Sequence, residues 1–382
     1  MCGWAPLQTS EASCSDVASA RAENGGGDGK KAEGVPTREP PFHFEKLVRR
    51  ASSPEGKQEA QRFASVLRRR GWCVVSLPQA LNPEATFSGT FAAADTFFTL
   101  ASEEKEKYAS TSNGHGYRQG EQDEEVFESR SFFDMKYVWP KSPPGFRFAV
   151  VDSYHVLEAV ALACLEIVAE ALQVKPSVLT GLLDNADEHL TMETASATAI
   201  RCSCFAKGAS ASPASASLAR TEDALLAVVP RGRGEGLHVR SLQDLAFHAV
   251  EAQLGPDEVA IFAGDTLARL TNNFFPAAMA RMPLEHLPMS VKTAPPLSPG
   301  SSPEKKKRTR KKNGLANGAP RASESWMGAR FVLHARANAE LEPLRLGSPV
   351  VDTAFQRPAV TVAKLHFEQA EWPWRNSAYY TT

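Results

Sequence analysis

The chain has 382 residues, 42% of them hydrophobic, which suits one large globular domain or two ordinary ones and is ample for a buried core. Its formal net charge is -1, so no global field draws it to nucleic acid or to an anionic membrane, and any electrostatic partner has to be sought in local clusters. Six scattered cysteines without a CxxC pair, and no secretory apolar segment at the start, imply a reducing compartment and an intracellular protein, cytoplasmic or nuclear.

Residues 1–36 are rich in Ser, Ala, Gly and Glu, show no apolar period and read as a disordered leader. Glu11, Asp16, Glu23, Asp28 and Glu33 are too many acids for a transit peptide. Residues 37–150 read as a layer of helices and strands. In it Ala60, Phe63, Val66 and Leu67 share one helical face, Gly71 ends that helix, and a strand follows over 72–77. A second helix is predicted over 83–108. Residues 114–136 combine a Gly-Tyr pair, an acidic patch and a Phe-containing strand, with His115 read as a loop residue rather than a ligand. Leu157, Val160, Ala161, Cys164, Ile167, Val168 and Leu172 form the apolar stripe of a long helix over 150–174. No apolar run approaches the ~20 residues that span a bilayer, the longest, 159–168, being interrupted by Glu166.

Residues 151–382 read as the main β domain. The alternating strand 198–205 places Cys202 and Cys204 on one face, where two thiols are too few for a structural metal and pack as small hydrophobes. A low-complexity loop over 207–219 precedes two apolar strands, Leu225–Val229 and Leu237–Val239, joined by a Gly/Arg turn in the manner of a hairpin. After the motif-bearing stretch 257–282, residues 284–325 are a Pro-, Ser- and Gly-rich insertion expected to be disordered. Inside it Lys305, Lys306, Lys307, Arg308, Arg310, Lys311 and Lys312 form a basic run. This is either a solvated charge run or a targeting or nucleic-acid patch, and since no aromatics are interleaved for base stacking, import machinery is preferred over RNA as the partner. The fold resumes over 327–344, and Trp372 and Trp374 near the C-terminus read as docking aromatics.

Five stretches carry a resemblance. Gly71-Trp72 leading into a strand and Phe97-Phe98-x-Leu100 with Lys105 are similar to the N-terminal layer of the isopenicillin N synthase-like 2-oxoglutarate/Fe(II) dioxygenases. The stretch from Arg220 to Val239 resembles that family's His-Thr-Asp segment and the Gly-Leu-Gln-Val that follows it. Gly264, Asp265, Leu267, Thr271, Asn272 and Arg281 resemble its Gly-Asp-x-Leu, Thr-Asn-Gly and His-Arg-Val motif, and Arg330 its co-substrate arginine. The resemblance spans residues 39–365 and implies an α+β fold, a double-stranded β-helix (jelly-roll) core with N-terminal and packing helices.

What the resemblance implies for chemistry is contradicted at five places. The proximal histidine and aspartate that hold iron in the family fall on Arg220 and Glu222, the distal histidine on Ala280, the serine beside Arg330 on Val332, and two tyrosines on Cys204 and Phe205. An Fe(II) oxygenase needs two imidazoles and a carboxylate on one face, and no histidine lies within 206–237 or 249–285 to restore them after a small shift of register. Either the Arg220 cation sits near the space of the iron and pairs with Glu222, or the segment has drifted and both side chains point to solvent. The expectation is a catalytically inactive relative, a binding or interaction module without metal or cofactor. The alternatives are a divergent oxidoreductase that uses Fe(II) and 2-oxoglutarate at a non-standard site, and a metal-free binder of small carboxylates anchored on Arg330.

Overall fold

The chain enters the fold through a two-residue strand β1 (Phe42–His43) and a short helix α1 (Phe44–Val48). Ser53 then caps α2 (Pro54–Arg70) by accepting from the Gly56 amide at 2.9 Å, and Gly71, at φ 76°, ends it in the left-handed conformation that glycine adopts without strain. This computed structural model describes residues 39–110, 114–120, 124–130, 138–184, 197–205, 219–234, 236–242, 245–281, 326–344 and 360–361. The expected leader, low-complexity loop, basic insertion and C-terminal tryptophans therefore lie outside the described residues.

Strand β2 (Trp72–Ser76) follows α2 directly. The single helix predicted over 83–108 is two, α3 (Pro83–Phe98) and α4 (Ser102–Glu106). The break is held by the Thr99 hydroxyl on the Thr96 carbonyl (2.8 Å) and by buried Lys105 on the Phe98 carbonyl (3.1 Å). It leaves Phe97 at the centre of an aromatic cluster, with Tyr117, Phe127 and Phe146 rings 5.9, 5.4 and 5.2 Å away.

Strands β3 (Gly116–Gln119) and β4 (Glu124–Arg130) precede α5 (Phe146–Ala171), which begins before the predicted start and runs through position 150. By length and composition α5 is long and apolar enough to cross a membrane, more so than the run 159–168 alone indicates. In this fold its stripe is core. Tyr154 stacks edge-on to Phe331 at 5.1 Å, while Arg50 ties the outer face through Glu166 (2.7 Å) and Glu170 (2.8 Å).

After α6 (Pro176–Thr180) come β5 (Ala199–Phe205), β6 (Arg220–Thr221), β7 (Leu226–Pro230), β8 (His238–Arg240), β9 (Phe247–Ala249) and β10 (Glu258–Ala263). The last elements are α7 (Asp265–Leu270), β11 (Met279–Arg281), β12 (Trp326–Leu333), β13 (Glu340–Leu341) and β14 (Val360–Thr361). An eight-stranded sheet runs β1-β2-β10-β7-β12-β5-β4-β3, a four-stranded sheet runs β6-β11-β8-β9, and β13 pairs with β14.

The expected hairpin is not one. β7 pairs with β10 and β12 in the large sheet, whereas β8 pairs with β11 and β9 in the small one. β7 is buried on both faces, as a central strand must be. The Gly-rich stretch after it is a corner that carries the chain between sheets, fastened by reciprocal backbone bonds of Arg233 and Met327 (2.7 and 3.1 Å).

The core divides accordingly. One cluster fills the space between the large sheet and the helices, drawing residues from Phe42 to Leu341. A second lies between the two sheets and joins Trp72, Val74, Ala227, Val229, Ala260, Phe262 and Val332 of the large sheet to Val239 of the small one, with Ala280 packed against it. Two sheets closing on a shared interior make a jelly roll with helices on one side.

Candidate functional site

The segment at the iron-ligand positions is positioned by the Gly264-Asp265 pair. Asp265 donates its amide to the Glu222 carbonyl (2.7 Å), Thr266 its amide to Ala224 (3.2 Å) and its hydroxyl to Asp223 (2.9 Å), and the Thr221 hydroxyl closes on the Asp265 carboxylate. Gly264 lies so close that a Cβ there would overlap the Ala224 carbonyl and stand 2.8 Å from the Glu222 oxygen. These motif residues hold the backbone of 221–225 whether or not the side chains on it bind metal.

Within that frame the register sets Arg220 directly opposite Ala280, and Ala280 opposite Val239, so the three share the inner-facing row of the small sheet. His248 ends the same row opposite Val239, two strands from Ala280 and so about 10 Å from it. Arg220 is exposed at the rim. Glu222, its side chain only 17% exposed, reaches to the Arg330 guanidinium and to Arg201 at 3.8 Å. The arginine that the structure gives Glu222 is therefore Arg330, with Arg201 behind it, in place of the expected Arg220. The reason is reach. Arg220 sits at the open edge of the small sheet, while Arg201 and Arg330 stand side by side across β5 and β12 on the face turned to Glu222.

That face carries an ion ladder. Cross-strand partners Glu128, Arg201 and Arg330 form one row over β4, β5 and β12. Glu128, 5% exposed, accepts from Arg201 (2.9 Å) and Arg130 (3.1 Å), with Arg118 at 3.9 Å. Burial alone would raise its carboxyl, but Arg201 and Arg130 outweigh burial and hold it below the usual glutamate range. Burial and the adjacent Arg201 cation pull Arg330 down to about 10, against the opposing pull of Glu124, and it stays protonated at neutral pH. Val332, where the resemblance has a serine, is buried apolar core.

The neighbouring rows are also filled. Gly328 lacks a side chain where the Trp326 indole folds over it. The indole nitrogen donates to buried Glu251 (2.9 Å), which also accepts from the Gly236 (3.1 Å) and Leu237 (2.9 Å) amides and so fastens the corner between β7 and β8. Phe205 stacks on Trp326 at 5.4 Å. Cys202 and Cys204 point the other way, into the helix-facing core, and burial pushes the Cys202 thiol up to about 12. His115 lies in the loop just before β3, only 3% exposed, between Phe127 (5.6 Å) and Trp139 (5.1 Å), and burial lowers it to about 4.

Arg201, Glu128, Trp326 and Glu251 were not singled out from sequence. Alternation in β5 held a signal for Arg201, since the residue between two core-facing positions must face the other side. Nothing local marks Glu251. Among the described residues no group of three or more His, Cys, Asp or Glu stands together that could hold a metal. The side chains at the three positions are a guanidinium, a methyl group and a carboxylate in contact with two arginines.

Comparison with known proteins agrees with this architecture. Residues 40–154 match the family model of the non-haem dioxygenase in morphine synthesis N-terminal region. A 2OG-Fe(II) oxygenase family protein of Caulobacter crescentus superposes with a TM-score of 0.61 at 18% identity, over 87% of this chain and 98% of that one. The chain has the 2OG-Fe(II) oxygenase fold. A full-length Neurospora crassa protein, crystallised with alpha-KG and 5-formyluracil, shares that fold at 14% identity (TM-score 0.60; 87% and 94% covered). JOX2, crystallised with 2OG, Fe and JA, shares it at 15% (TM-score 0.60; 87% and 85% covered). No curated protein matches the chain.

Proposed function

We propose that this chain is a metal-free relative of the 2OG-Fe(II) oxygenases in which the jelly roll serves as a binding module. The reading rests on Glu222. In an iron site built on this fold the carboxylate of that segment would face the metal, whereas here it is committed to Arg330 and Arg201. JOX2 holds Fe and 2OG, and such an ion needs neutral imidazoles beside the carboxylate. Arg220 and Ala280 supply a repelling cation and a methyl group instead.

Anaerobic titration with Fe(II) or Co(II), followed by elemental analysis, tests the reading. The wild-type protein is expected to retain no stoichiometric metal. The combined change Arg220→His, Glu222→Asp and Ala280→His is expected to gain it, because positions 220 and 280 are direct cross-strand neighbours. Tight stoichiometric iron in the wild type, with turnover of 2-oxoglutarate, would overturn the reading and return the chain to a divergent oxidoreductase. We further propose that the basic run Lys305–Lys312, outside the described residues, is read by nuclear import machinery.

A further inference from the structure

Two guanidiniums on the inner face of the large sheet converge on one carboxylate delivered from beside the small sheet. Arg330 and Arg201 are cross-strand partners, so their forks are presented side by side, and both reach Glu222. The Glu222 backbone is held by Asp265, so this carboxylate is brought to the arginines by the fold and is no wandering surface chain. The second acid of the ladder, Glu128, is already shared among Arg201, Arg130 and Arg118. If Glu222 left, Arg330 would lose its direct carboxylate partner in a site where its side chain is 30% exposed, and Arg201 one of its two. A partly buried guanidinium without an anion is costly, and a planar arginine fork selects carboxylates.

We propose that the Arg201–Arg330 pair is a carboxylate-binding site that the chain occupies itself through Glu222, an internal latch that a small external carboxylate has to displace. The latch joins the segment after β6 to β5 and β12, so its release also frees one connection between the two sheets. The expectation that Arg330 stands open to a dicarboxylate is thereby revised. In the wild type an external carboxylate competes with a tethered one and binds weakly, whereas without Glu222 it meets an Arg330 fork relieved of its direct carboxylate, beside an Arg201 still held by Glu128. This inference deepens the metal-free reading and rests on it, because a metal at Glu222 would withdraw the latch.

The test is isothermal titration and thermal shift of the full chain with formate, acetate and 2-oxoglutarate, at constant ionic strength set with chloride. Wild type, Glu222→Ala, Glu222→Gln and the double variant Glu222→Ala/Arg330→Ala are compared. Both single variants are expected to bind carboxylate about tenfold or more tighter than wild type. Acetate should raise the melting temperature of Glu222→Ala, and the double variant should lose both responses. Glu222→Gln keeps the size of the side chain and carries the binding test if Glu222→Ala does not fold. Equal affinity in wild type and variants, or an undiminished response in the double variant, overturns the proposal. The metal content of the same wild-type sample separates the two readings: stoichiometric iron defeats the metal-free reading, whereas failed carboxylate capture in iron-free protein defeats only the latch.

Discussion

Glu128 and Glu222 show how a carboxylate takes its role from the cations that the fold sets around it. Glu128 lies in a row with Arg201 and Arg330 and touches Arg201 and Arg130, which depresses its carboxyl despite burial. A carboxyl lowered in the folded state contributes stability that is fully present above its ordinary value of 4.5 and is lost as pH falls through the lower folded value. Glu128→Gln should therefore cost about 1–3 kcal/mol at neutral pH, because it takes a buried carboxylate from Arg201 and Arg130, which are themselves partly exposed. It should also flatten the loss of stability below about pH 5. Urea denaturation of wild type and variant across that range measures both, and parallel pH curves for the two proteins would show that Glu128 does not carry the dependence.

At the scale of elements, the corner around Gly264 shows what the Gly-Asp pair does for the backbone beside positions 220 and 222. Gly264-Asp265 starts α7 and at the same time binds the backbone of 221–225, so its partners are carbonyls and amides that any side chains on that segment would leave in place. Gly264→Ala drives a methyl group into the Ala224 carbonyl and is expected to cost about 1–3 kcal/mol, read as a lowered urea midpoint with an unchanged slope. Asp265→Ala should loosen the same segment through loss of the Thr221 contact, seen as faster amide exchange at 221–225. Unchanged exchange there would mean that the Asp265 amide alone holds the segment.

For the whole molecule, two cores share the large sheet as a wall, one against the helices and one between the sheets. On the inner side of that wall stand Trp326, Phe205 and the Glu128–Arg201–Arg330 row. The proposal that import machinery reads the basic run is tested at the same scale. Changing Lys305, Lys306 and Lys307 to Ala should move a tagged protein out of the nucleus, and acidic residues at Ser298 and Ser302, each before a proline, should do so in part by adding negative charge beside the run. An unchanged distribution would reduce the run to a solvated charge cluster.

Periodicity and motif order determine much of this protein by themselves. The stripe of α5, the alternation of β5, the Gly71 stop and the 60-residue separation of positions 220 and 280 are local or register properties, and they carry the fold class and the presence of Arg220 and Ala280 at those two positions. What only the tertiary structure decided is who meets whom across the barrel. Sequence spacing placed Arg220 beside Glu222, but a two-residue strand at a sheet edge leaves Arg220 at the rim, while long-range pairing of β12 with β5 brings Arg330 and Arg201 to the carboxylate. The Leu226–Pro230 and His238–Arg240 strands looked like a hairpin because local turn chemistry cannot tell a reversal within one sheet from a corner between two. That distinction is made by burial on both faces of β7, which exists only once the helices and the second sheet have closed over it.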